Sequence, residues 1–353
     1  MKRINYLTLA FTAAMLAASC DNSAIEPEGA EGSMQISFSM PSSATRAATV
    51  GNEAALNDVQ MLLFDASGNL CKYHNFSSQE ISDKAATIDH VNAGTYTAYV
   101  VANGPGLSSV KNLSEFNSTE IQLTDYNSTA SDFVMEGHAG SISVTSGATA
   151  EPSVALSRFV SRVAVNKITN NIPAAYGALK VERVFLSNVV NTQNLAGNKA
   201  PGNTASYWFN KEGRADETTR NSSHVIDGTT YLASAPELTF ANIGQSVSNG
   251  SSMTANKYMY AYPNAYTTVP AGFNSTFAAQ QSVLVIVASF NGSTYYYPVV
   301  LKTAPARNTS YEVSATITGA GSSDPNVPVS SGAIKATITV MNWIDGTTYT
   351  ETF

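Results

Sequence analysis

The sequence predicts an all-β protein built as two antiparallel β-sandwiches, and three observations carry that reading. Short runs of aliphatic, β-branched and aromatic residues recur along the chain, separated by clusters of Gly, Asn, Asp, Ser and Pro. Their spacing, over 353 residues, suits two sandwiches with a boundary close to 155–160. No segment carries a long apolar stripe with a 3.6-residue period, and neither a fixed-period repeat nor a run of heptads is present.

The elements follow in order after a leader. Lys2 and Arg3 precede an uncharged apolar stretch, Ile4 to Leu16, which ends in Leu16-Ala17-Ala18-Ser19-Cys20. The stretch is too short for a membrane span and leads into polar sequence, so residues 1–19 read as a secretory signal. Small residues before a cysteine resemble a bacterial lipobox, which makes Cys20 the expected acylated N-terminus; Ala17 stands where a leucine is commoner. Residues 21–32 have a linker composition. Residues 34–40, Met-Gln-Ile-Ser-Phe-Ser-Met, then alternate strictly, placing Ile36, Phe38 and Met40 on one face of a half-buried strand. A proline-led loop of small residues follows and holds Arg46-Ala47, a composition that exposes a chain to proteolysis. A cut there removes residues 20–46, the lipidated cysteine and the strand together.

Further strands are expected at 59–64 and 70–73, joined by an Asp-Ala-Ser-Gly-Asn turn, and at 94–103, 133–137, 142–144 and 154–156. Residues 108–116 read as a short helix capped by Ser108 or Ser109. In the second half, strands are expected at 159–168, 179–189, 257–262, 283–290, 294–301, 311–318 and 334–343, with long polar loops at 191–203 and 242–256. The last strand alternates at Ile334, Ala336, Ile338 and Val340, then changes phase. Beyond the change, Trp343, Tyr349 and Phe353 line one face of a second extended stretch, as a bulge or bend would produce. Bare aromatics at a terminus invite pairing with another chain; the alternative is a tail folded back on its own sandwich.

Composition narrows the function. Charged residues make up 13% of the chain and its net charge is −7, which argues against nucleic acid and anionic membrane surfaces as partners. With Cys20 spent on lipid, Cys71 has no partner for a disulfide; it reads as a small apolar core residue, with a reactive thiol as the alternative. His74, His90, His138 and His224 lack metal-ligand spacing, and no nucleophile elbow, phosphate loop or EF-hand pattern occurs. No catalytic residue, metal or cofactor is therefore expected. Two tyrosine clusters, 258–262 with Tyr266 and 295–297, suit either burial of alternate rings along a strand or an aromatic surface for a sugar or protein.

Taken in order, these features resemble the fimbrillins of the FimA/Mfa type, the pilins of Bacteroidales type V pili. The likeness runs through the lipobox at Cys20, Ser-Ala-Thr-Arg-Ala at 43–47 and Leu-Leu-Phe-Asp-x-x-Gly at 62–68. It continues through Gly-Thr-Tyr-x-x-Tyr-Val-Val-Ala-Asn at 94–103, Arg158, and Arg307-Asn308-x-x-Tyr311. Ile317-x-Gly319-x-Gly321 and Trp343 complete it. The resemblance implies transthyretin-like sandwiches at 47–156 and 157–353 and an outer-membrane lipoprotein precursor. It also implies cleavage between Arg46 and Ala47 by an arginine-specific surface protease. Assembly into an extracellular fimbrium of like copies, with anchor and tip subunits, would use a donor strand within about 334–353. The alternatives are a tip adhesin binding a glycan or host protein, and a glycan-binding surface lipoprotein.

Overall fold

The computed structural model describes residues 31–40, 53–126, 131–199, 208–209, 211–212, 225–226, 237–266, 281–301, 305–325, 327–329, 332–342 and 348–352. Strand β1 (Glu31–Ser39) takes the place that its alternation dictates, with Met34, Ile36 and Phe38 buried and Gln35 outward. It runs antiparallel to β4 (Ala85–Asn92) on one side and parallel to β8 (Thr149–Ala150) and β9 (Ser153–Ala155) on the other. A five-stranded sheet in the order β10-β7-β5-β2-β3 faces it. Its strands are β2 (Val59–Asp65), β3 (Leu70–Asn75), β5 (Gly94–Ala102), β7 (Met135–Val144) and β10 (Ser157–Arg158). Met34, Ile36 and Phe38 meet Val59, Met61, Leu63 and Val100 between the two sheets.

The opposite face of the five-stranded sheet, through Leu62, Phe64 and Val101, packs on Phe116 of α2 (Leu113–Ser118) and joins the larger core of the second half. That core fills a second sandwich. One sheet has the order β19-β11-β22-β23-β24, from β11 (Ser161–Asn170), β19 (Ser252–Ala261), β22 (Thr309–Ile317), β23 (Ile334–Asn342) and β24 (Thr348–Thr352). The other has the order β18-β12-β20-β21, from β12 (Leu179–Ser187), β18 (Phe240–Val247), β20 (Val283–Phe290) and β21 (Ser293–Val300). Short pairings complete the set: β6 (Glu120–Gln122) with β14 (Thr192–Asn194), β13 (Val189–Val190) with β15 (Trp208–Phe209), and β16 (Lys211–Glu212) with β17 (Val225–Ile226). Both principal sandwiches are largely antiparallel, but β1 with β8 and β9, and β11 with β22, run parallel.

Several expectations need correction. The segments at 133–137 and 142–144 fall largely in one strand, β7, because its pairing with β5 continues across a register shift from Val144 to Met135; at Gly137 the backbone of β9 comes close. A Cβ at Gly137 would lie 2.2 Å from the Ala155 carbonyl oxygen. The helix expected at 108–116 starts at Leu113 instead, because the Asn112 side chain, not a serine, accepts the Glu115 N–H. Helix α1 (Ser78–Asp83) was not foreseen, although Ser77 and Glu80 form a capping box. Strand β4 was also unforeseen: His90 has φ of 56°, and the register slips against β1, so its apolar residues do not alternate strictly. The stretch 191–203 contains β14, and 242–256 contains most of β18 and the start of β19. Cys71 is exposed on β3 rather than packed in a core. Among the described residues no helix is long and apolar enough to cross a membrane.

Candidate functional site: an enclosed first strand, a terminal edge strand and a buried seam

Cys20, Arg46 and Ala47 lie outside the described residues, as do Trp343 and Phe353. What the structure places is the strand between the two expected processing positions. Strand β1 is interior to its sheet, and its Ser37 N–H donates to the Pro152 carbonyl at 3.0 Å while Phe38 N–H donates to the Lys84 carbonyl at 3.0 Å. Phe38 meets Phe76 edge to face at 5.4 Å. Gly32 fits where the chain passes the 144–148 turn; a Cβ there would lie 2.5 Å from the Thr145 carbonyl oxygen. Burial of Met34, Ile36 and Phe38 contributes roughly 2 kcal/mol each at ordinary transfer values. Of the residues expected on this face, Ile36 and Phe38 are buried; Met40 lies one residue past the strand and is half-buried against the same core. Met34 is the buried residue not singled out, although it shares the same period.

The C-terminal stretch forms β24, the edge of its sheet. It pairs antiparallel with β23, Tyr349 opposite Val340 and Thr352 opposite Thr337. A strand at an edge has a ladder on one side only, so it is the element of that sheet most easily exchanged.

Between the sandwiches lies a buried ionic seam that the sequence reading did not find. Arg162 on β11 is fully buried and reaches Glu53 at 3.1 Å and Glu312 at 3.3 Å. It also donates from Nε to Ser310 Oγ at 3.0 Å. Tyr260 donates to Glu53 Oε1 at 2.6 Å, and Arg158 donates to the Glu53 carbonyl at 2.9 Å and to Asn308 Oδ1 at 3.2 Å. Burial lowers the Arg158 guanidinium to about 10, partly opposed by Glu53. The same burial, reinforced by Glu53, pushes the Tyr260 phenol far up. Arg307 lies over the Phe159 ring at 4.2 Å and pairs with Glu136 at 3.2 Å, so its guanidinium, depressed by burial, keeps its charge through that partner. Arg158 and Arg307-Asn308-x-x-Tyr311 thus meet at one place, with the Tyr311 hydroxyl accepting the Ala306 N–H at 3.2 Å.

Tyr260, Tyr262 and Tyr297 are buried in the second sandwich, while Tyr258, Tyr266, Tyr295 and Tyr296 are half-buried; Met259 and Ala261 are buried as well, so burial along 258–262 does not simply alternate. Among the described residues no group of three His, Cys, Asp or Glu could hold a metal.

The family model of the major fimbrial subunit protein FimA matches residues 30–203, a span that starts beside β1 and takes in the whole first sandwich. The fimbrilin FimA of Porphyromonas gingivalis superposes with a TM-score of 0.63 at 14% identity, over 89% of this chain and 98% of that one. Over residues 30–203 this chain matches the FimA fimbrillin family, and along most of its length it shares the fimbrilin fold. A candidate cell adhesion protein from Bacteroides eggerthii gives a TM-score of 0.64 at 20% identity, covering 90% and 98% of the two chains. The tip fimbrial protein Mfa3 of Porphyromonas gingivalis gives 0.51 at 13%, covering 89% and 100%. No curated protein sequence matches this chain. The family is one of fimbrial subunits and adhesion proteins rather than enzymes, and its place is the extracellular fimbrium.

Proposed function

We propose that this chain is a stalk subunit made as an outer-membrane lipoprotein acylated on Cys20. Cleavage between Arg46 and Ala47 by an arginine-specific surface protease frees β1, and the C-terminal strand of another copy fills the vacated slot. The mature subunit is then two sandwiches, 47–156 and 157–353, joined at the Glu53 seam. The observation that carries this reading is the place of β1: it sits inside its sheet with a ladder on each side, and in the sequence it lies between Cys20 and Arg46. Its departure would leave the edges of β4 and of β8 and β9 unpaired and uncover Val59, Met61 and Val100. The edge position of β24 supports the donor role of Tyr349 and its neighbours Trp343 and Phe353. Partner subunits at the base and tip of the fimbrium follow from the same slot-and-strand logic.

Purified precursor treated with an arginine-specific protease should give ladders of multimers on non-boiled gels. Arg46→Ala should remain a folded, membrane-bound monomer, and deletion of 344–353 should give a processed monomer that cannot extend a chain. Normal filaments from either variant would refute the switch or the donor. A processed parent that stays monomeric would instead mark a tip subunit, which accepts a strand without donating one.

A further inference from the structure

We infer that the cleft beside β14 is a binding site for a neutral pyranose residue of a glycan. The cleft offers about 380 Å3 and is lined by Gln193, Gly197, Asn198, Lys199, Pro263, Ala265 and Tyr266. That volume falls in the range of ordinary small-molecule sites, roughly 300–1,000 Å3. Two regions marked in the sequence, the stretch 191–203 and the first tyrosine cluster, thus converge on one hollow.

The deciding group is Gln193, only 2% exposed. Its Oε1 accepts the backbone N–H groups of Lys199 at 2.7 Å and Asn194 at 3.1 Å, which fixes the orientation of the amide. The amide NH2 is therefore the end left over, and none of the protein's described groups accepts from it. A donor fixed in direction, without an acceptor among the described residues and still open to solvent, marks a position for an incoming oxygen. The site around it is built rather than incidental. Asn194 Oδ1 accepts the Asn198 N–H at 3.1 Å, closing the loop. On the opposite wall, buried Asn264 accepts the Tyr266 N–H at 3.0 Å and donates to Ser282 at 3.0 Å, which holds the Pro263–Tyr266 segment in place.

The chemistry of the lining selects the ligand. Lys199 is paired with Glu120 across the β6–β14 pairing, so the described lining presents no unbalanced charge. One wall is apolar, from Pro263, Ala265 and the Tyr266 side chain, and the other offers amides from Gln193 and Asn198. A pyranose has the matching two-sidedness: a C–H face for an aromatic and apolar wall, and hydroxyl or acetamido oxygens for amide donors. The site is separate from the β1 slot, and the lining residues named above all come from the one chain.

The test is saturation-transfer NMR on the full chain with methyl glucoside, galactoside, mannoside and N-acetylglucosaminide, with methyl glucuronide as the charged counterpart. At least one neutral glycoside should show transfer and the glucuronide should bind more weakly. Gln193→Glu keeps an oxygen for the Lys199 and Asn194 N–H groups but replaces the free donor with an acceptor. It should weaken binding about tenfold or more with an unchanged melting temperature. Tyr266→Ala should weaken it as well, while Tyr176→Ala, at an exposed ring on another surface, should not. No transfer from any neutral glycoside, or binding undiminished in both cleft variants, overturns the assignment. The measurement reads the unassembled chain, so its failure leaves the filament reading standing, and a failure of the filament reading leaves this one standing.

Discussion

At the scale of single residues, the first sandwich depends on a missing side chain and a held carboxylate. Gly137→Ala places a methyl group 2.2 Å from the Ala155 carbonyl oxygen, on backbone that has no room to yield without separating β7 from β9. Overpacking of this kind costs about 1–3 kcal/mol or more, and a lowered urea midpoint with an unchanged m-value is the expected readout. Asp65 closes the β2–β3 turn. The Asn69 N–H, then the Asn69 side chain and the Ser67 N–H, hold its carboxyl below the usual carboxylate range. A carboxyl depressed in the folded state contributes stability above its unfolded value and loses it as pH falls through the folded one. The parent should therefore lose hairpin stability on acidification below about pH 4, a loss that Asp65→Asn should flatten. Equal acid limbs for the two proteins would exclude the turn as the source.

At the scale of elements, β1 and β22 were legible in outline because alternation with period two survives any context, whereas β2, β5 and β20 were legible as runs of aliphatic, β-branched and aromatic residues bounded by turn residues. Its partner β4 was not. Ile88 and Val91 stand three apart, and a left-handed His90 between them breaks the period on which the reading depends. Sheet order was equally hidden, since β1 reaches β4 and β9 across long stretches of chain that no local pattern connects. Nor does any spacing signal that Gln193 and Tyr266 share a cleft; tertiary structure alone brings them together. If β1 is a removable strand, its core residues matter only before processing. Phe38→Ala should destabilise the precursor by about 3–5 kcal/mol yet leave the stability of processed filaments unchanged. Thermal melts of both forms decide it, and a filament weakened by the same substitution would mean that β1 stays in place.

At the scale of the whole molecule, the two sandwiches are held by charge as well as by apolar packing. Glu53, shortly before β2 of the first sandwich, is gripped by Arg158, Arg162 and Tyr260 from the second half. Removing one partner of so buried a pair strands the other, so Glu53→Gln or Arg162→Met alone should cost about 3–5 kcal/mol. The double substitution should cost less than the sum, and a double-mutant cycle by chemical denaturation measures the coupling. Additive losses would show that the seam is a set of independent contacts. The motif residues Arg158, Arg307 and Tyr311 are explained by this junction rather than by any ligand.

The place of β1 has one more consequence, in its direction. Its neighbours differ, antiparallel β4 on one flank and parallel β8 and β9 on the other, and the two kinds of ladder space their donors and acceptors differently. A peptide entering backwards would meet the wrong pattern on both flanks at once. If β1 leaves as proposed, the strand that refills the slot must therefore travel the same way as the one it replaces. A fibre threaded through such slots acquires an arrow: one extremity ends in an empty receptor and the other in a spare tail. Elongation and termination at the two ends then call for different molecules.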